Sequence, residues 1–377
     1  MSRDIVGMGA VASIGSTPEE IFDSLCAGRT GLAGLRAFDT TKYRAKRAYE
    51  IDDRARPGAD EPGRATRWLK AAVGRALADA GHPGDLADVP VLVGTTLQEQ
   101  RSAELWWKEG TPLDTAGLHF GTALRETFGA TRTYTFANAC AASLYALAMA
   151  TDLIEAGEAD TVVVAGTDAL GESAFGTLDR VQNDVPEALR PFDRSHKGML
   201  MGEGAVAVVV RRAAAPGQRV YARLRAVGVN CDAHHPTAPD PAGITRVLRD
   251  AYRRAGVGPE DIDLVMLHGS GTPKNDTTEA GVLSALFEPG AGPLMTAVKS
   301  MTGHTLGGSG LLSLVMAVLA TRRGTVPPVL GLTDPVPEAA GLRLVRHQAA
   351  AARIGIAQVD AFGFGGINAV AILEAAR

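Results

Sequence analysis

A stretch of about thirty residues occurs twice in this chain. Arg67–Thr96 reads as a helix, then Ala80-Gly81, a turn with Pro83, Asp85-Leu86-Ala87-Asp88, a strand and Gly94. Ile244–Thr272 reads as a helix, then Ala255-Gly256, a turn with Pro259, Glu260-Asp261-Ile262-Asp263, a strand and Gly269. The pairs Gly81/Gly256 and Gly94/Gly269 share one offset of 175 residues. The likeness continues in kind: the strands at 133–137 and 293–297 each lead through small residues into an apolar helix. Two copies of one βα unit predict a pseudo-twofold molecule in which each copy sends a loop to the middle.

Short apolar runs alternate with helical patterns throughout, which argues for an α/β fold with helix-covered sheets. Strands are predicted at 4–8, 90–94, 133–137, 161–165, 205–211, 264–268, 293–297 and 369–373. Helices are predicted at 17–27, 67–80, 141–156, 244–255, 279–287 and 310–322. The charged segment Phe38–Gly63, with Pro57 and Pro62, reads as a long irregular connection. The longest apolar stretch, Leu311–Ala320, is far short of the roughly 20 residues that cross a bilayer. The opening residues show no signal-peptide pattern. Three cysteines in 377 residues exclude a disulfide framework. The balance of 38 basic and 42 acidic residues gives no footprint for nucleic acid. A cytoplasmic protein with an ample core is expected, and the repeat favours one duplicated fold over separate domains.

Cys140 follows a strand and heads a long helix in Asn138-Ala139-Cys140-Ala141-Ala142-Ser143. The helix N-terminus and its free N–H groups favour a thiolate there; a buried structural cysteine is the equal alternative on local context alone. His268 opens His268-Gly269-Ser270-Gly271-Thr272-Pro273-Lys274-Asn275-Asp276, and His304 lies in Lys299-Ser300-Met301-Thr302-Gly303-His304. Both sit where strands end, the usual ligand side of α/β folds. A thiol facing two histidines is a nucleophile with groups that relay protons and bind an oxyanion. The glycine turn Phe362–Asn368 can offer backbone N–H groups to such an oxyanion.

Other patterns are set aside. Gly7-Met8-Gly9 matches a dinucleotide fingerprint only loosely. Cys231-Asp232-Ala233-His234-His235 lacks a second metal-ligand pair and reads as a loop, so no metal is expected. Arg64, Arg67 and Lys70 read as a solvated helix start, and Trp106-Trp107 as core or interface.

Taken together, Asn138–Ser143, Arg190–Arg194 with Met201–Gly204, His268–Asp276 with Glu279, Lys299–His304 and Phe362–Asn368 resemble the β-ketoacyl-acyl carrier protein synthases, condensing enzymes of the thiolase superfamily. The resemblance runs from Val6 to Ala375. It implies a thiolase-like five-layered αβαβα fold of two pseudo-twofold-related halves, here 1–220 with the cysteine and 221–377 with the histidines. It implies that Cys140 accepts an acyl chain and that the N–H groups of Cys140 and Phe364 form the oxyanion hole. His268 and His304 then drive decarboxylation of a malonyl thioester. Lys299, held by Glu279, supports their geometry, with Asp276 alongside. Ser270 and Thr272 bind the phosphopantetheine arm of an acyl carrier protein acting in trans, and Phe364 gates the acyl pocket. No permanently bound cofactor is implied. A homodimer is expected, or a heterodimer with a cysteine-less homologue.

Asn138, Met199, Ser270 and Ile367 depart from residues common in the family, and 38–63 and 97–120 look trimmed, which points to polyketide or specialised fatty-acid biosynthesis. Two other functions fit less well: an acyltransferase passing the acyl group to an amine or alcohol, and a non-catalytic subunit that sets chain length. The histidines argue against the first and Cys140 against the second.

Overall fold

The computed structural model describes residues 3–55 and 57–376. Ten strands carry the duplication. The first half contributes β1 (Asp4–Ala12), β2 (Val91–Gly94), β3 (Thr133–Phe136), β4 (Thr161–Asp168) and β5 (Gly204–Arg211). The second contributes β6 (Ala222–Cys231), β7 (Leu264–Met266), β8 (Leu294–Thr296), β9 (Ile356–Gly363) and β10 (Ile367–Ala375). Their spatial orders are β1-β5-β4-β2-β3 and β6-β10-β9-β7-β8. In each half the first two pairings are antiparallel and the last two parallel. A short antiparallel contact, Asp4 against Arg223 and Ile5 against Ala222, joins the half-sheets, and Arg343–Leu344 adds a strand beyond β8.

Helices cover both faces. α1 (Arg64–Asp79) packs on β1, β5 and β4, and α3 (Pro241–Ala255) on β6 and β10. α2 (Ala142–Glu155) and α5 (Ser309–Arg323) lie between the half-sheets and touch strands of both. α4 (Pro273–Ser284) packs beside α3. The result is the five-layered αβαβα fold. The middle layer follows from sequence: every residue of α5 from Ser309 to Ala320 is buried, and a helix apolar all round is stable only when enclosed. Among the described residues, no helix is long and apolar enough to cross a membrane.

The paired glycines have structural causes. Gly81 and Gly256 both adopt left-handed φ, +65° and +67°, where α1 and α3 end. Gly7 and Gly9, read as a loose fingerprint, serve packing instead. A Cβ at either would meet the backbone of α1, 2.2 Å from the carbonyl oxygens of Ala76 and Ala72.

Several expectations are corrected. β6 and β9 were not predicted: arginines interleave with the apolar residues of β6, and Gln358 and Asp360 interrupt β9. The helices Gln100–Glu109, Phe120–Phe128 and Glu172–Val181 were missed as well. α4 begins at Pro273 rather than 279, because its first turn buries Asn275 and Asp276 and so lacks an apolar stripe. Trp106 and Trp107 are not core; they are 50 % and 80 % exposed.

Arg64 is no solvated helix start either. It is buried, with ion pairs to Glu203 and Asp60 at 3.0 Å. Arg54 and Arg101 share those carboxylates, so the irregular segment 38–63 is fastened by charge. Removing one partner of a buried ion-pair set strands the others. Arg64→Met is therefore expected to lower unfolding free energy by about 3 kcal/mol, measured by urea denaturation; a change within about 0.5 kcal/mol contradicts it.

Candidate active site

Strand β3 delivers the nucleophile candidate. The chain leaves β3, turns through Ala139–Ala141 and enters α2, which places Cys140 at the head of that helix, buried. Ala139 holds φ +48°, a left-handed conformation costly for a residue with a Cβ. Backbone strain of this kind persists where the surroundings enforce it, often at reactive positions. Opposite lies the turn after β9. A Cβ on Gly363 would sit 3.3 Å from the Cys140 amide nitrogen, so glycine lets the two backbones meet. The N–H groups of Phe364 and of Cys140 itself both reach towards Sγ.

The two histidines come from the other half. His268 follows β7 and His304 follows β8. Their rings stand edge to face with centroids 5.4 Å apart, and the ligand atoms of Cys140, His268 and His304 all lie within 4.8 Å of one another. Both rings are buried. The main chain of His304 is pinned by its N–H to Leu200 O and by Gly202 N–H to its own carbonyl. Nδ1 of His304 accepts the Leu306 N–H at 3.1 Å. In a neutral imidazole the other nitrogen then carries the proton, and that Nε2 is buried without a partner among the described residues, as is Nδ1 of His268.

Electrostatics agree with neutral rings. Burial, then the Lys299 charge, lowers both histidines well below their ordinary value. Burial pushes the Cys140 thiol up to about 11, while Lys299 and the Phe364 N–H pull the other way. Cys140 thus rests as a thiol beside groups that favour its anion.

Lys299 is buried and donates to the carbonyl of His268. Glu279 is fully buried and accepts from the N–H groups of His268 (2.7 Å) and Gly269 (2.9 Å) and from Asn275. Lys299 and Glu279 make no direct ion pair among the described residues. Each fixes the His268 main chain from its own side, and the Glu279 charge favours the Lys299 ammonium across the gap between them. Asp276 accepts from Phe192 N–H, Gly271 N–H, Asn275 and the His196 ring, and so ties the 268–272 loop to the 190–196 segment.

One narrow pocket joins Cys140, His268, His304 and Phe364 with Ser270 and Thr272, whose hydroxyls are 2.9 Å apart. Lys299, Glu279 and Asp276 lie behind it. Sequence reasoning passed over two of its walls. His235 belongs to the loop set aside as plain; Asp232 N–H bonds Gly366 O, and Gly365 N–H bonds Pro236 O, so this loop clasps the glycine turn. Asn275 contributes from the first turn of α4.

Comparison with known proteins covers the whole architecture. Residues 4–215 match the family description "Beta-ketoacyl synthase, N-terminal domain" and residues 221–333 match "Beta-ketoacyl synthase, C-terminal domain". The 3-oxoacyl-[acyl-carrier-protein] synthase 2 of Synechocystis sp. is 30 % identical over 400 residues, spanning 97 % of this chain and 95 % of that protein. The synthase of the same name from Coxiella burnetii is 29 % identical over 98 % of this chain and 97 % of its own. Among solved structures, the ishigamide ketosynthase/chain length factor superposes with a TM-score of 0.89 at 32 % identity, covering 100 % of this chain and 99 % of that one. A β-ketoacyl synthase from Burkholderia phymatum gives 0.86 at 26 % identity over both full chains.

Proposed function

The chain belongs to the β-ketoacyl synthase family, and on that footing we propose that it extends an acyl thioester by decarboxylative condensation with a malonyl thioester, using Cys140, His268 and His304. The observation that carries this is the meeting of one thiol and two neutral histidines, from opposite halves of the fold, within 4.8 Å.

Cys140 Sγ attacks the acyl thioester delivered on the phosphopantetheine arm of an acyl carrier protein. The thioester bond breaks, and the thiol proton ends on the departing pantetheine sulfur. A malonyl thioester then enters. Its C–CO₂⁻ bond breaks and carbon dioxide leaves, and the electron pair passes to an enolate whose oxygen takes hydrogen bonds from His304 Nε2–H and the His268 ring. Such donors act most strongly where water is excluded. The enolate carbon attacks the acyl-Cys140 carbonyl, the oxyanion rests on the N–H groups of Cys140 and Phe364, and collapse expels Cys140 as a thiolate, which takes a proton from solvent to restore the thiol. Lys299 and Glu279 position His268, and Asp276 holds its loop. Phe364, at the pocket rim, gates entry. No metal or permanently bound cofactor takes part.

Ser270 and Thr272 offer hydroxyls to the amides of the pantetheine arm. Ser270→Ala and Thr272→Ala are expected to raise KM for malonyl carrier protein about 2- to 10-fold with little change in kcat; steady-state kinetics check this, and an unchanged KM contradicts it.

The two halves are assigned as 1–220 and 221–377, and the enzyme as cytoplasmic. It works as a dimer. The likeness to a ketosynthase/chain length factor supports pairing with a second, cysteine-less copy of the fold in polyketide or specialised fatty-acid biosynthesis, as an alternative to a homodimer. The deciding experiment incubates the protein with a panel of acyl-carrier thioesters and reads the Cys140 adduct by intact mass, then adds malonyl carrier protein. A product two carbons longer with release of carbon dioxide supports condensation. Transfer of the acyl group to an added amine or alcohol, without carbon dioxide, overturns it.

A further inference from the structure

Asp168 ends β4 in the first half, fully buried, and touches none of the reacting groups. Its carboxylate gathers four donors. Oδ1 accepts from Thr95 Oγ1 (2.8 Å), Thr96 N–H (3.0 Å) and Leu97 N–H (2.7 Å). Oδ2 accepts from Gly307 N–H at 2.7 Å and shares Thr96 N–H. The first three donors belong to the loop after β2, in the same half. Gly307 belongs to the other half, in the loop that carries His304.

The residue before Gly307 is the one that orients the His304 ring. Leu306 N–H donates to Nδ1 of His304, and Leu306 does so at φ +49°, a conformation a leucine does not hold by preference. Something outside the residue must hold it. Glycine at 307 lets the loop lie against Thr95, where a Cβ would come within 2.3 Å of its carbonyl carbon. The Asp168–Gly307 bond is the only charged contact on that turn among the described residues, and it crosses from one half of the fold to the other.

We propose that Asp168 is a positioning residue for the condensation, clamping the strained Leu306–Gly307 turn so that His304 keeps its proton on Nε2 and presents it to the enolate. This rests on the reading of His304 as that donor. The two halves are thereby coupled by more than packing, since the β4 end of the cysteine-bearing half sets the protonation pattern of a histidine in the other.

The sign of a second effect makes the role separable from simple support. Burial pushes the Asp168 carboxyl up to about 7 against the pull of its four donors, and in its ionised form it disfavours the Cys140 thiolate. Asp168→Asn removes that charge and turns one carboxylate oxygen into an N–H₂ donor, which cannot accept from the donors now around it. The geometry predicts slower decarboxylation with unslowed loading of Cys140, whereas a merely weakened fold slows both.

The test uses ¹⁵N-histidine-labelled enzyme, with the His304 signals identified by their loss in His304→Gln. In the native enzyme Nδ1 is expected unprotonated and Nε2 protonated. In D168N the two tautomers should mix, and carbon dioxide release from malonyl carrier protein should fall about tenfold. Cys140 acylation, read by intact mass, should hold its rate. Leu306→Gly added to D168N should recover part of the loss, because glycine holds positive φ without help. Where D168N fails to fold, Asp168→Glu, which keeps the charge but displaces the carboxylate by one methylene, supplies the same readouts. An unchanged His304 tautomer in these variants overturns the proposal, as does an equal fall in both partial reactions. Failure of the native enzyme to release carbon dioxide at all overturns instead the reading of His304 on which the proposal stands.

Discussion

Replacing Cys140 with alanine should abolish both acyl loading and condensation, with residual turnover at least about 10⁴-fold below that of the native enzyme. The size follows from the site. Sγ is the only thiol lining the pocket among the described residues; of the other two cysteines, Cys26 is half-buried and Cys231 exposed. His304 does not substitute for it, because its Nδ1 lone pair is taken up by the Leu306 N–H and its Nε2 carries the proton. The alanine side chain leaves the turn at 139–141 and the head of α2 intact, so the fold should be unchanged by circular dichroism. The assay is the mass of the protein after incubation with an acyl-carrier thioester. A full acyl adduct on the variant would place the nucleophile elsewhere, and undiminished condensation would remove the covalent step altogether. Decarboxylation of malonyl carrier protein is a separate matter: with His268 and His304 untouched, slow release of carbon dioxide without chain extension should persist.

Much of this site was legible because its chemistry sits on regular positions. Cys140 at a helix head and the histidines after strands could be read from the alternation of apolar runs and glycines, and the 175-residue offset of Gly81/Gly256 and Gly94/Gly269 pointed to two copies facing a common centre. The strand orders of the two halves match that pattern element for element. What escaped did so for a physical reason. Polar residues buried against the site erase the apolar periodicity that marks an element: Asn275 and Asp276 hid the first turn of α4, and Gln358 and Asp360 hid β9. Charge misled in the same way at Arg64, whose partners Glu203 and Asp60 are far away in sequence or lie in a segment with no regular pattern. Asp168 gave no signal at all, since a carboxylate that binds backbone N–H groups of two loops, one from each half, has no sequence spacing to betray it. The clasp between 231–236 and the glycine turn rests largely on main-chain bonds, with Asn368 donating to Asp232 beside them, and such bonds leave little trace in residue types.

His304→Ala should divide the reaction where Cys140→Ala stops it. Nε2 of His304 is a buried donor with no partner among the described residues, and its proton is fixed there by the Leu306 N–H on the opposite nitrogen. A buried donor left unpaired costs free energy, and that cost is recovered when negative charge arrives on the enolate oxygen. Deleting it should slow carbon dioxide release about 10²- to 10⁴-fold. Loading of Cys140 should change by less than about tenfold, because the N–H groups of Cys140 and Phe364 that serve that step do not touch the ring. His268→Ala should act in the same direction. Its backbone, fixed by Glu279 and Lys299, remains in place, so the loss should reflect the ring alone. The pH dependence separates donor from acid. Burial and Lys299 hold both rings well below their ordinary value, so they stay neutral over roughly pH 6–8, and their contribution should be flat across that window. An imidazolium donor would instead lose activity as pH rises through its pKa. Time courses of carbon dioxide release and of acyl-enzyme mass, taken on the same preparation at several pH values, measure the two steps apart. Acyl loading that falls as far in His304→Ala as in Cys140→Ala would contradict this division of labour.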